Sequence, residues 1–137
     1  MQKPDFKTLL QGAGFKATLG RIALLEALWH TQKPLAVPAL TKSVGRKMNQ
    51  VTLYRALEAL ASAGISRRVD LGHAHAHYEF EKSHHHHIIC TDCGRVEDIT
   101  NVNVEKELEK LSHSSKQFNS IYSHNLEFFG SCKSCTK

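Results

Sequence analysis

Apolar positions recur at helical spacing through the first half of the chain. After Gly12 and Gly14, Thr18 can cap a helix in which Leu19, Ile22, Leu25 and Leu28-Trp29 share a face, and Pro34 lies beyond its end. A second, short helix is predicted from about Pro38, a residue acceptable in a first turn, through Leu40 and Val44 to a stop at Gly45. Asn49 then caps a third, with Leu53, Leu57 and Leu60 as its core stripe and Gly64 at its end. From Ile65 to Phe80 the pattern loosens into alternation of Ile65, Val69 and Leu71 with Arg67, Arg68 and Asp70, and Gly72 turns the chain, which reads as a β-hairpin. Further on, Ile88-Ile89-Cys90 and Leu126 to Phe129 are strand-like, and a helix is expected from about Val102 to Leu111.

Three helices closed by a hairpin suit a winged helix-turn-helix, whose third helix enters the major groove. Gln50, Thr52, Tyr54 and Arg55 are then the docking residues. Charge sharpens this picture. Up to Phe80 the chain has 11 basic and five acidic residues, whereas the remainder has seven basic and eight acidic. The basic half suits an anionic polymer such as DNA. The competing reading is a basic three-helix domain that binds another protein.

The second half holds all four cysteines, as Cys90-x-x-Cys93 and Cys132-x-x-Cys135, and six of the ten histidines. Two knuckles supply the four thiolates of a closed, structural zinc site, and the 38 intervening residues would be clamped by it. Redox-active dithiols are the alternative. In the run His84-His85-His86-His87, strand alternation sends His84 and His86 to one face and His85 and His87 to the other, so one strand could feed two metal sites. A loosely chelating patch is the plainer possibility. Carboxylates within reach in sequence are Glu79, Glu97, Asp98, Glu105, Glu107 and Glu109, with His124 near the end. In the hairpin, His73, His75 and His77 share a face with Glu79.

These residues together resemble the ferric uptake regulator family of metal-responsive bacterial repressors. The resemblance runs through Gly14-Phe15-Lys16-Ala17-Thr18-Leu19-Gly20-Arg21, Val51 to Leu57, His84 to Gly94 and His124 to Cys135. It implies an α+β protein with a winged helix-turn-helix over 1–80, a hinge at 81–83 and an α/β dimerisation domain over 84–137. It implies structural Zn2+ at Cys90, Cys93, Cys132 and Cys135. A regulatory hinge site falls on Glu79, His85, His87 and Asp98, with His77 or His75 standing in for a histidine that iron and peroxide sensors carry between their first helices and that Lys33-Pro34-Leu35 lacks. A third site, in the dimerisation domain, falls on His84, His86, Glu105 and His124. His86, where many members have Asp, resembles the zinc-responsive branch; the regulatory ion is then Zn2+ or Fe2+, with Mn2+ a further option. Tyr54 and Arg55 match the family's tyrosine and arginine of the third helix, and Lys16 and Arg21 match basic residues that approach the minor groove and phosphates.

The implied function is metal-dependent repression of metal-uptake or metal-homeostasis genes by a homodimer bound to an A/T-rich inverted repeat. An iron or peroxide sensor is the alternative within the family. Two other classes compete. A zinc hydrolase needs an open coordination position, a base and a cleft, and only unassigned glutamates offer the base. A metal store leaves the basic half unexplained. No apolar run approaches the ~20 residues of a membrane span, and the first residues are no secretory leader, so a cytoplasmic protein is expected, and with no assigned base or cleft a non-enzymatic one.

Overall fold

A computed structural model describes residues 2–72, 75–122 and 124–136, so His73 of the hairpin lies outside the described residues. The chain divides into two compact units, Met1–Lys82 and Ser83–Lys137.

The first unit contains the three expected helices and one more. Helix α1 (Phe6–Gly12) is capped by Asp5, whose carboxylate accepts from the Lys7 N–H at 3.2 Å and the Thr8 hydroxyl at 2.6 Å. Its Phe6 and Leu10 are buried. The spacing of Phe6, Leu9 and Leu10 behind an aspartate is the signature of a helix start. Thr18 caps α2 (Leu19–His30), accepting from the Arg21 N–H. Helix α3 (Val37–Val44) carries its proline in the first turn and ends where Gly45 takes a φ of 58°. A 3-10 turn, Gly45–Lys47, leads to α4 (Gln50–Ser62), capped by Asn49, which accepts from the Thr52 N–H at 2.8 Å.

Leu10, Leu24, Leu25, Leu28, Leu40, Leu53, Leu57 and Leu60 form a continuous buried core, each contributing roughly 1.5–3 kcal/mol relative to exposure. The hairpin strands are β2 (Ser66–Val69) and β3 (His77–Phe80), antiparallel with Arg67 opposite Glu79. An unexpected two-residue strand, β1 (Leu35–Ala36), pairs with β3 on its other edge. So short a strand has no signature of its own; β3 supplies its partner groups.

In the second unit, β4 (His86–Cys90) lies between antiparallel β5 (Val96–Ile99) and parallel β6 (Glu127–Gly130). Strand β4 begins at His86, so His84 and His85 lead into it. The helix expected from Val102 starts later, as α5 (Glu105–Ser114), because the Asn103 side chain accepts from the Glu105 N–H at 3.0 Å and sets the first turn there. None of its residues is buried. No described helix is long and apolar enough to cross a membrane.

Candidate metal centres and nucleic-acid interface

Strand pairing assembles the cysteines. Strand β4 ends in the first knuckle, where the Gly94 N–H returns to the Cys90 carbonyl at 2.9 Å and Gly94, at φ 77°, takes a turn conformation that a side chain would strain. Parallel register places Gly130, at the end of β6, opposite Cys90, so the second knuckle follows directly beside the first. The Thr91 N–H donates to the Gly130 carbonyl at 2.8 Å, and the Ser131 hydroxyl to Asp92 at 2.7 Å.

All four Sγ atoms lie within 4.8 Å of one another, and Cys93 Sγ to Cys132 Sγ is 3.7 Å. A Zn–S bond of ~2.3 Å gives a tetrahedral edge of ~3.8 Å, so the cluster has the dimensions of a zinc shell. Its protonation is uneven. The Cys132 backbone N–H, donating to Cys90 Sγ at 3.3 Å, holds the Cys90 thiol down to about 6. Its neighbour Cys132 pushes the Cys135 thiol up to about 12. Sulfurs this close cannot all be anionic without a cation among them.

On one side of the histidine run, His84, His86 and His124 offer ring nitrogens within 4.8 Å of one another. His84 Nε2 to His86 Nε2 is 3.2 Å, against ~3.3 Å for the edge of a tetrahedron with Zn–N of ~2.0 Å. The His86 Nδ1–H donates to the Leu126 carbonyl at 3.2 Å, which turns Nε2 inward, the orientation that second-shell carbonyls give to ligating histidines. His124 Nε2 is buried with no hydrogen-bond partner among the described residues. A buried ring nitrogen left this way is costly, and a shared cation would satisfy it. Glu105, at the start of α5, is not drawn into this cluster.

On the opposite side, His85 and His87 stack edge to face with ring centroids 4.9 Å apart. The His85 Nδ1–H donates to the Ser83 carbonyl at 2.7 Å, and His87 Nε2 is 3.5 Å from Asp98 Oδ1. Register explains the last contact, since His87 and Asp98 are cross-strand partners. These nitrogens and this carboxylate suit a borderline divalent cation.

Glu79, in the first unit, is buried and held by Arg67, whose Nε and Nη2 both donate to Oε1, at 3.1 and 2.7 Å. Sequence reasoning missed Arg67; its signal was the cross-strand register with Glu79, which a hairpin with an unfixed turn does not reveal. The His77 Nδ1–H donates to the His75 carbonyl, 3.0 Å away.

Gln50, Thr52, Tyr54 and Arg55 are all exposed on α4, whose Leu53, Leu57 and Leu60 are buried. Lys16 is exposed and Arg21 half-buried; Arg21 Nη1 donates to the Lys16 carbonyl at 2.9 Å and the guanidinium sits 5.6 Å from the Phe15 ring centroid. Gly20 brings the two regions together. A Cβ there would meet the Lys47 carbonyl oxygen at 2.7 Å, so the start of α2 lies directly against the turn that precedes α4.

A sequence model described as the ferric uptake regulator family matches residues 12–129. The ferric uptake regulation protein of Yersinia pestis is 31% identical over 136 residues, covering 94% of this chain and 89% of that protein. Among solved structures, the ferric uptake regulator of Pseudomonas aeruginosa with manganese is similar at a TM-score of 0.74 and 25% identity, covering 95% of this chain and 99% of that one. The regulator from Francisella tularensis with iron follows at a TM-score of 0.68 and 28% identity, covering 90% and 96%.

Proposed function

We propose, from the premise that this chain belongs to the ferric uptake regulator family of metal-responsive regulators, that it is a homodimeric, metal-dependent transcriptional repressor of metal-uptake or metal-homeostasis genes. The observation that carries this reading is the histidine run at β4. His84 and His86 pair on one side, His85 and His87 on the other, and the same strand runs into the four-cysteine cluster.

Cys90, Cys93, Cys132 and Cys135 hold structural zinc and fix β4 to β6. Glu79 closes the winged unit in sequence, and His85, His87 and Asp98 follow it; we assign these four, with His77 or His75 as a further ligand, to the regulatory hinge site. His84, His86 and His124 form the site within the dimerisation unit, which Glu105 completes if α5 shifts toward it. When bound, a divalent cation supplies the charge that holds ligands from both sides of the hinge together. The residues do the rest: they favour one placement of the winged units, and Gln50, Thr52, Tyr54 and Arg55 then meet two half-sites while Lys16 and Arg21 meet phosphates. Phe118, Tyr122 and Phe129, respectively 67, 95 and 50% exposed, give the second unit apolar surface for a second copy.

All-nitrogen and oxygen ligands without a histidine at Lys33-Pro34-Leu35 favour Zn2+ over Fe2+ at the hinge. The P. aeruginosa and F. tularensis proteins were solved with manganese and iron. Metal analysis of the purified protein, followed by titration of Zn2+, Fe2+ and Mn2+ against binding to A/T-rich inverted repeats, tests the reading. Zinc-dependent binding at two-fold sites is expected. Metal-independent binding, or none under any ion, overturns it.

A further inference from the structure

Resting on the assignment of Glu79 to the regulatory site, we propose that Arg67 is a built-in competitor for that carboxylate and sets the metal concentration at which the site fills. Nε and Nη2 of Arg67 converge on Glu79 Oε1. The two side chains are only 14 and 11% exposed, so solvent screens the pair weakly. The β2–β3 register places them directly opposite one another, so the pairing is part of the hairpin rather than a chance surface contact. A guanidinium cannot shed its charge. A cation approaching Glu79 therefore meets a fixed positive charge already hydrogen-bonded to its ligand.

Two responses are open to Arg67, and both oppose metal binding. If it stays, it keeps its hold on Oε1 of Glu79 and repels the incoming charge. If it moves, its ion pair with Glu79 is lost. The structure supplies a destination for the second response, because Glu81 Oε2 already lies 3.9 Å from Arg67 Nε. Glu81 softens the competition by giving the displaced guanidinium another carboxylate, at the exit of the hairpin. Its own backbone is fixed there, the Glu81 N–H donating to the Ile65 carbonyl at 2.9 Å. The attraction between Arg67 and Glu79 is present before and after binding in the first response, so removing Arg67 removes only repulsion. In the second, removal abolishes the cost of breaking the pair. Loss of Arg67 tightens metal binding in both.

The test uses the full-length zinc-loaded dimer at pH 8, with Arg67→Gln, Arg67→Met and Glu79→Ala compared with the parent. Regulatory-site affinity for Zn2+ is read by competition with a chromophoric chelator, zinc retained by the cysteines is counted separately, and circular dichroism melts report the fold. Arg67→Gln and Arg67→Met are expected to bind Zn2+ about tenfold more tightly, a modest fraction of what a weakly screened unit charge can exert on a dication. Zn2+-dependent binding to an A/T-rich inverted-repeat duplex should reach the same maximum at correspondingly lower Zn2+. Equal or weaker Zn2+ affinity in whichever Arg67 variant folds overturns the competitor role, while loss of binding in Glu79→Ala leaves the hinge assignment standing. Unchanged affinity in Glu79→Ala overturns the hinge assignment itself, and with it this inference.

Discussion

Cys90 and Cys135 have the same side chain and opposite proton affinities, because one accepts a backbone N–H while the other lies against a neighbouring thiol. The difference makes zinc binding to metal-stripped protein a measurable proton count. With its thiol held to about 6, Cys90 is already ionised at pH 7, whereas Cys135, pushed up to about 12, keeps its proton until metal arrives. Fewer than four protons per zinc should therefore be released at pH 7, and the number should rise as pH falls through 6, where Cys90 must also be deprotonated. The sign for the metal-free fold agrees. A thiol whose folded value is depressed contributes stability above its unfolded value and loses it as pH falls toward 6. Calorimetric zinc titrations in two buffers of different ionisation enthalpy measure the release; four protons at pH 7, or a count that does not change with pH, would contradict this arrangement. Cys90→Ser and Cys132→Ser should lose the tightly bound zinc altogether and, with it, the order of the second unit. Gly20 is a second residue whose environment decides its effect. Gly20→Ala puts a methyl 2.7 Å from the Lys47 carbonyl, and because the obstacle is backbone the segment before α4 must shift. A loss of about 1–3 kcal/mol in denaturant unfolding is expected, accompanied by weakened DNA binding; a neutral substitution would show that this contact is not tight in solution.

Among the elements, β4 is the one whose meaning could be read directly from the chain. Alternation has a period of two whatever the neighbours are, so the separation of His84 and His86 from His85 and His87 was legible and appears in the geometry. The partners were less legible. Asp98 meets His87 through an antiparallel register, and Cys132 meets Cys90 because β6 runs parallel beside β4, and neither pairing follows from spacing along the chain. Strand β1 and the Arg67–Glu79 pair were invisible for the same reason: both exist only once β3 is in place. Helix α1 is different, since its capping aspartate and Phe6-Leu9-Leu10 spacing are local signals that need no partner strand. The parity of β4 predicts how variants should sort. His85→Ala or His87→Ala should abolish metal-activated DNA binding and leave the dimer intact. His84→Ala or His86→Ala should lower metal stoichiometry and the melting temperature, with a smaller loss of regulation. Metal content, sedimentation and operator affinity of the four single variants provide the check, and four equal, mild phenotypes would favour a loose chelating patch.

At the scale of the whole molecule, chemistry is divided as charge is: the basic unit carries the exposed start of α4, and the nearly neutral unit carries the cysteines and the histidine run. The change of composition near Phe80 lies close to the boundary between the two compact units. If Glu79 from one unit and His85, His87 and Asp98 from the other share an ion, metal and DNA must act on the same equilibrium. Linkage then makes the coupling reciprocal: the factor by which saturating Zn2+ tightens operator binding equals the factor by which saturating operator tightens Zn2+ binding. A factor of roughly 5–150 is expected for a coupling of ordinary size. The two titrations, performed on the same preparation, should return one number for the parent, and His87→Ala should bring both toward unity. His86→Ala should keep most of the coupling, because its imidazole pairs with His84 and faces the other site. A parent protein in which DNA leaves Zn2+ affinity unchanged would have its metal and its operator acting on separate equilibria, and the hinge would not be the sensor.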